Sequence, residues 1–286
     1  MNTTVLFVVS NTWGSSMHRG YDMSSLLGAS VVQCYDANVS ASVDVMIHVK
    51  FPCYRLRATA RHHIFDRVDN YHFDMARVPW MRTEIVPTHH MAQSCTHQCI
   101  FIPHHMNLNC SVHSDAWWNK TNPVIGIVGT DVRSKINLVS WSLLGYSVNY
   151  ETMGHPCEFF NAIDVAVVWK KHDGVDIPVE RLTNPIWFNI PTVAHSFHIG
   201  YTEYTHASPF LCDSLFCLRR MVQYLSHASN DLMESFALLR REVMNDVDVA
   251  HVVSLYKRMI AKVSSGMTNW TRNGVSYAPK TVSLSQ

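Results

Sequence analysis

The sequence is short of charge. Asp, Glu, Lys and Arg supply 16% of its 286 residues, where globular chains carry roughly 25%. Glycine is also scarce, at 11 residues, which excludes collagen-like and linker-rich architectures. Neither sign of charge dominates, since 23 Lys and Arg face 22 Asp and Glu for a net charge of +1. No global basic field exists to hold nucleic acid through its phosphates. No apolar run approaches the roughly 18 residues of a membrane span. The first apolar stretch, Val5–Val9, has no basic residue before it and is too short for a signal-peptide core. What the chain does have is 47% hydrophobic residues and 18 histidines. The first number excludes disorder, because there is ample apolar surface to bury. The second raises the question of what the imidazoles do.

The eight cysteines are scattered, at 34, 53, 95, 99, 110, 157, 212 and 217. In a chain this long with no export signal they are expected to be free thiols in the cytoplasm. At a soft prior of roughly 150 residues per domain, the length suggests two domains. Short apolar runs rich in β-branched residues punctuate the first: Val5–Val9, Ala29–Tyr35, Val43–Val49, Ile64–Val68, Glu84–Val86 and Cys99–Ile102. They are too short for helices and suit a parallel sheet covered on both faces. Tyr21–Leu27 reads as a short helix stopped by Gly28.

Asn, Ser and Pro cluster over 107–123 and mark a break. Beyond it come the strands Val124–Val128, Tyr146–Tyr150, Ile163–Val168 and Thr192–Ala194, with helical segments at Lys135–Leu144 and Glu180–Phe188. From Leu211 onward apolar residues recur at helical spacing, in Leu211–Ser226, Asp231–Met244 and Val249–Val263. The expected fold class is α/β, two Rossmann-like doubly wound domains. Residues 1–115 form the first, 116–263 the second with its terminal helices, and 264–286 a polar tail. Ligands of such sheets bind outside the carboxyl ends of the strands, here the loops 10–20, 103–106, 129–135 and 195–204.

The order of motifs resembles the GT-B-fold glycosyltransferases, which pair two Rossmann-like domains around a nucleotide-sugar cleft. Phe101-Ile-Pro-His-His-Met-Asn107 is similar to the exit of their first domain, and Val124-Ile-Gly-Ile-Val-Gly-Thr130 to the strand and loop opening their second. Glu180–Ala194 resembles their donor-site helix, turn and Pro-Thr-Val unit. Where the family carries a glycine before that proline, this chain has Asn189-Ile190. The resemblance implies sugar transfer from a nucleotide-sugar donor, bound mainly by the second domain, to an acceptor held by the first. It implies no bound cofactor, since the nucleotide sugar enters as co-substrate, and no metal.

Site residues follow from that likeness. Gly129, Thr130, Arg133 and Lys135 would offer backbone N–H groups and cations to a diphosphate. Gly200 would admit close approach and Glu203 would accept hydrogen bonds from sugar hydroxyls. His18, in the loop after Val5–Val9, occupies the neighbourhood of the general base in inverting members, and imidazole suits that task. His104, His105, Glu180 and His195 are further residues expected to line the cleft, although Glu180 equally suits a helix start. Alternatives on the same fold are a nucleotide-sugar epimerase or a silent binding protein. A third reading, from another class, is a His/Cys metal-binding module. Nine candidate ligands lie between His89 and His113, but Cys-x3-Cys followed by His-His is not the paired spacing of a zinc motif. The strand Cys99–Ile102 would also separate them.

Overall fold

The structure is a computed structural model. It describes residues 3–11, 16–35, 42–56, 59–68, 75–95, 97–106, 110, 120, 122–128, 148–150, 156–169, 179–197, 199–225, 227–266, 271–272 and 275–276. The chain forms two compact units, Met1–His105 with Val249–Gln286, and Met106–Asp248.

In the N-terminal unit, β1 (Val5–Val9), β2 (Ser30–Gln33), β3 (Val43–Val49), β4 (Ala60–Asp66), β5 (Thr83–Val86) and β6 (Gln98–Phe101) form a parallel sheet in the order β2-β1-β3-β4-β5-β6. Alternate residues of β1 go to opposite faces, as a strand requires. Phe7 and Val9 join Val45, Ile47 and Val49 in one apolar cluster, whereas Leu6, Val8 and Met46 join another. Both faces are thus covered, which is why the strands read as continuous apolar runs. After β1 the residues Ser16–Asp22 wind as a π-helix that runs into α1 (Met23–Leu27). Gly28 ends α1 at φ 64° and donates its N–H to Ser25 O, in the left-handed conformation that glycine adopts without strain. A second short helix, α2 (His89–Ser94), joins β5 to β6 and is capped by Thr88, whose hydroxyl accepts from the Met91 N–H at 3.1 Å.

In the C-terminal unit, β7 (Ile125–Ile127), β8 (Val148–Tyr150), β9 (Val165–Val168), β10 (Thr192–His195) and β11 (Leu211–Cys212) form a second parallel sheet, ordered β11-β10-β9-β7-β8. Its described helices are α3 (Pro156–Asn161), α4 (Glu180–Trp187), α5 (Ile199–Thr202), α6 (Leu215–Leu225) and α7 (Asn230–Val247). One apolar cluster runs through this unit, from Ile125 and Val167 to Leu239 and Val243. Gly126 lies where a Cβ would come within 2.3 Å of Ile163, so β7 and the turn before β9 pack without room for a side chain.

Two expectations change. Helix α8 (Val249–Ser264) was expected with the second domain, yet it belongs to the N-terminal unit. Val252, Tyr256, Met259 and Val263 recur at helical spacing and pack on the face of the first sheet that carries Phe7 and Ile47. Helical periodicity announces an apolar stripe but not which sheet it covers. The cysteines are the second change. Cys34–Cys53, Cys95–Cys99 and Cys110–Cys157 are disulfides, and only Cys212 and Cys217 are free. Their scatter in sequence hid partners that the sheets bring together. No helix among the described residues is long and apolar enough to cross a membrane.

Candidate functional site

Strand order singles out one place in each sheet. In the first, the chain runs outward from β1 to β2 and then returns to β3 on the other side. The carboxyl ends of β1 and β3 therefore flank a topological switch point, where connections leave to opposite sides and open a crevice. The π-helix Ser16–Asp22 follows directly from β1 at that point. It lies flat on the strand end because Gly20 has no side chain. A Cβ there would fall 2.2 Å from Val9 Cγ1.

The turn is pinned by Arg19, which is fully buried. Its Nη2 donates to Asp66 Oδ1 at 2.7 Å and its Nε to the same carboxylate at 3.1 Å. Its Nη1 donates to the carbonyls of Pro103 at 2.7 Å and Ile102 at 3.1 Å. Asp66, at the end of β4 and also fully buried, accepts a further bond from the Tyr256 hydroxyl of α8 at 2.6 Å. The Tyr256 ring lies 5.5 Å from the guanidinium carbon. Burial pushes the Tyr256 phenol well above its ordinary range, so it stays a donor to the carboxylate. One buried ion pair thus ties the ends of β1, β4 and β6 to the returning helix.

That anchoring fixes His18, the adjacent residue. The His105 Nε2 donates to the His18 carbonyl at 2.7 Å, and the two rings meet edge to face at 5.9 Å. The His18 Nδ1 lies 3.3 Å from Asp22 Oδ2, with the His18 side chain one-third exposed. His104 is buried, donates to Val68 O at 3.3 Å and is held well below the usual imidazole range, first by burial and then by Arg19. It is neutral, whereas the His18 ring has a carboxylate beside it and a face toward solvent. Asp22 was missed in sequence although it stands four residues after His18, one helical turn away. Arg19, Asp66 and Tyr256 carried no local signal.

A buried histidine pair joins β3 to β4. His48 Nδ1 accepts from the Cys53 N–H at 3.1 Å, and its Nε2 is 3.0 Å from His63 Nδ1. The Trp80 ring packs edge-on against both imidazoles. Burial, then the neighbouring His63, lowers His48 to about 3.

In the C-terminal unit, the expected phosphate residues Gly129, Thr130, Arg133 and Lys135 lie outside the described residues. His195 is buried at the carboxyl end of β10, where its Nδ1 accepts from the Phe197 N–H at 3.1 Å. Its ring centroid is 4.2 Å from that of Trp169 and 4.4 Å from that of Phe197. Phe197 itself is 55% exposed. Glu180 opens α4, and its charge together with that of Arg181 acts on Tyr201, next to Gly200. Glu203 acts on the buried Tyr204 together with Glu242 and Asp246. Asn189, where the family likeness places a glycine, has φ 63°, a left-handed conformation that asparagine tolerates better than most residues.

No protein-family model matches the chain, and no curated protein matches its sequence. Solved structures do match it. Sucrose-phosphate synthase from Thermosynechococcus elongatus aligns with a TM-score of 0.65 at 9% identity, over 92% of this chain and 100% of that one. A mutant of the T4 phage BGT in complex with UDP-glucose aligns with a TM-score of 0.56 at 9% identity, over 90% and 99%. TarM of S. aureus, in a complex containing UDP, aligns with a TM-score of 0.53 at 12% identity, over 75% and 55%, so this chain spans about half the length of TarM. Identity this low carries the fold alone, and the fold is GT-B.

Proposed function

We propose that the chain is a glycosyltransferase that moves a sugar from a nucleotide-sugar donor to an acceptor hydroxyl, with His18 as general base. The observation that carries this reading is the His18–Asp22 pair, held on a buried Arg19 anchor at the switch point of a GT-B sheet. The imidazole takes the acceptor proton as the acceptor oxygen bonds to the anomeric carbon. The bond from that carbon to the diphosphate oxygen breaks, and the nucleoside diphosphate leaves. Asp22 stabilises the imidazolium that forms. A positioned base of this kind contributes roughly 10²–10⁴-fold. This is a single displacement, so the anomeric configuration inverts.

The donor belongs to the C-terminal unit in this reading. Gly129, Thr130, Arg133 and Lys135 meet the diphosphate, Gly200 and Glu203 meet the sugar, and the exposed Phe197 ring offers a stacking face for the base. The acceptor belongs to the N-terminal unit. A thermal-shift panel of UDP, GDP and ADP tests the donor side, and stabilisation by one of them is expected. No shift with any nucleotide overturns it, and retained binding in Arg133→Ala overturns the phosphate assignment. Transfer to acceptor lost about 10²-fold or more in His18→Ala, with nucleotide binding intact, is the expected kinetic result. Epimerised nucleotide sugar without transfer would make the chain an epimerase.

A further inference from the structure

At the β5–β6 edge of the first sheet lies a second chemical cluster. Glu84 on β5 is the direct register partner of Cys99 on β6. His97 precedes Cys99 by two residues, and the period of a strand places both on the same face. Cys95 reaches the same spot from the end of α2. The ligand atoms of Glu84, Cys95, His97 and Cys99 all lie within 4.8 Å of one another.

Two of the separations are those of a coordination shell. His97 Nε2 lies 2.6 Å from Glu84 Oε2, and Cys99 Sγ lies 3.5 Å from each of these atoms. A tetrahedral zinc ion with Zn–S near 2.3 Å and Zn–N or Zn–O near 2.0–2.1 Å has sulfur-to-nitrogen and sulfur-to-oxygen edges of about 3.5 Å. Two edges are thus already in place. Two pairs are too close and must part to admit the ion: Cys95 and Cys99, joined as a disulfide, and His97 and Glu84, hydrogen-bonded at 2.6 Å where the tetrahedral edge is about 3.3 Å. The surroundings also fit. Glu84 is fully buried, and its other oxygen is held by the Arg67 Nε. Two thiolates and a carboxylate bring three negative charges, which one Zn²⁺ and Arg67 neutralise. A buried site of zero net charge avoids the penalty of an uncompensated buried ion.

We propose that Glu84, Cys95, His97 and Cys99 form a zinc site gated by the Cys95–Cys99 disulfide. The disulfide excludes the metal, and the dithiol binds it. A dithiol reductant donates two electrons, cleaves the Cys95–Cys99 bond and leaves as its own disulfide. Zn²⁺ then displaces two protons from the thiols and is held by two thiolates, the imidazole and the carboxylate. Loaded, the ion would staple β5, β6 and the end of α2 together. This inference does not depend on the transferase reading.

The test uses the full chain, loaded with one equivalent of zinc or cobalt(II) with and without a dithiol, then dialysed. About one metal per chain after reduction is expected, and none without it. Cobalt is expected to show thiolate-to-metal charge-transfer absorption. Because reduction also frees the other cysteines, variants decide the assignment. His97→Ala, at a side chain 29% exposed, is expected to weaken zinc by more than the roughly 10–100-fold that follows loss of a residue merely orienting a ligand. Cys95→Ser is expected to abolish uptake, and Cys212→Ser to leave it unchanged. Equal uptake by oxidised and reduced chain overturns the proposal. So does reduced-state binding that survives both His97→Ala and Cys95→Ser.

Discussion

Arg19, His48, His63, Asp66, Glu84, His104 and His105 are buried in the N-terminal unit, whereas among the described residues the C-terminal unit buries only Asp164 and His195 of comparable character. Both units are parallel sheets sheathed in helices, so architecture does not explain the difference. The C-terminal unit fills its interior with one continuous apolar cluster. The N-terminal unit breaks its interior into smaller clusters with polar pairs between them. Continuous apolar packing gives stability that tolerates small changes. Buried polar pairs fix geometry and fail badly when one member is lost. The N-terminal unit is thus built for position at its strand ends, where His18 stands.

The comparison breaks first at Asp66. Asp66→Ala leaves Arg19 charged and buried, and is expected to cost about 3–5 kcal/mol in urea unfolding. A cost under about 1 kcal/mol would mean that the ion pair does not carry the strand ends. The two tight glycines come next, each at about 1–3 kcal/mol for overpacking on mutation to alanine. Gly126→Ala is expected to lower stability and leave transfer per folded molecule unchanged. Gly20→Ala displaces the turn bearing His18 and is expected to lower both. Equal effects of the two on transfer would erase the distinction between the units.

Acid sharpens the comparison further. The unfolded His48 takes up a proton near its ordinary value of 6.5, and the folded one only near about 3. The unfolded chain therefore binds more protons between these values. The stability that His48 contributes is complete above about pH 6.5 and drains away as pH falls toward 3. Urea unfolding at pH 7 and pH 4.5 measures it, and His48→Gln is expected to flatten the difference. The smallest expected change is in Asp22→Ala. Its partner is partly exposed, so stability is expected to move by no more than about 0.5 kcal/mol. The rate of transfer is expected to fall all the same, which circular dichroism and kinetics on one preparation would separate.

Two strands were legible to the residue, whereas Leu211–Cys212, read as the start of a helix, is β11. Val5–Val9 and Val43–Val49 are the observed β1 and β3, because runs dominated by apolar residues and rich in valine have few other ways to be buried. Ile64–Val68 was legible only in part, since β4 begins at Ala60 with Arg61 and His62, whose polarity masks the start. Gly28 announced the end of α1 correctly, because a left-handed cap has a residue signature. His18, His104, His105 and His195 are read together from sequence; the structure joins the first three in one unit, and His195 lies in the other. Their unequal roles were not legible, since these depend on which carbonyl or carboxylate each ring meets.

The sequence by itself determined an α/β fold with two parallel sheets and the approximate positions of most of their strands. Periodicity is local, so it survives being read along one dimension. The tertiary structure decided which sheet α8 covers, which cysteines pair, and that Arg19 meets Asp66 47 residues away and Tyr256 meets that carboxylate from 190 residues away. Those contacts form only when sheet order brings distant strand ends together, and no window of sequence contains both partners.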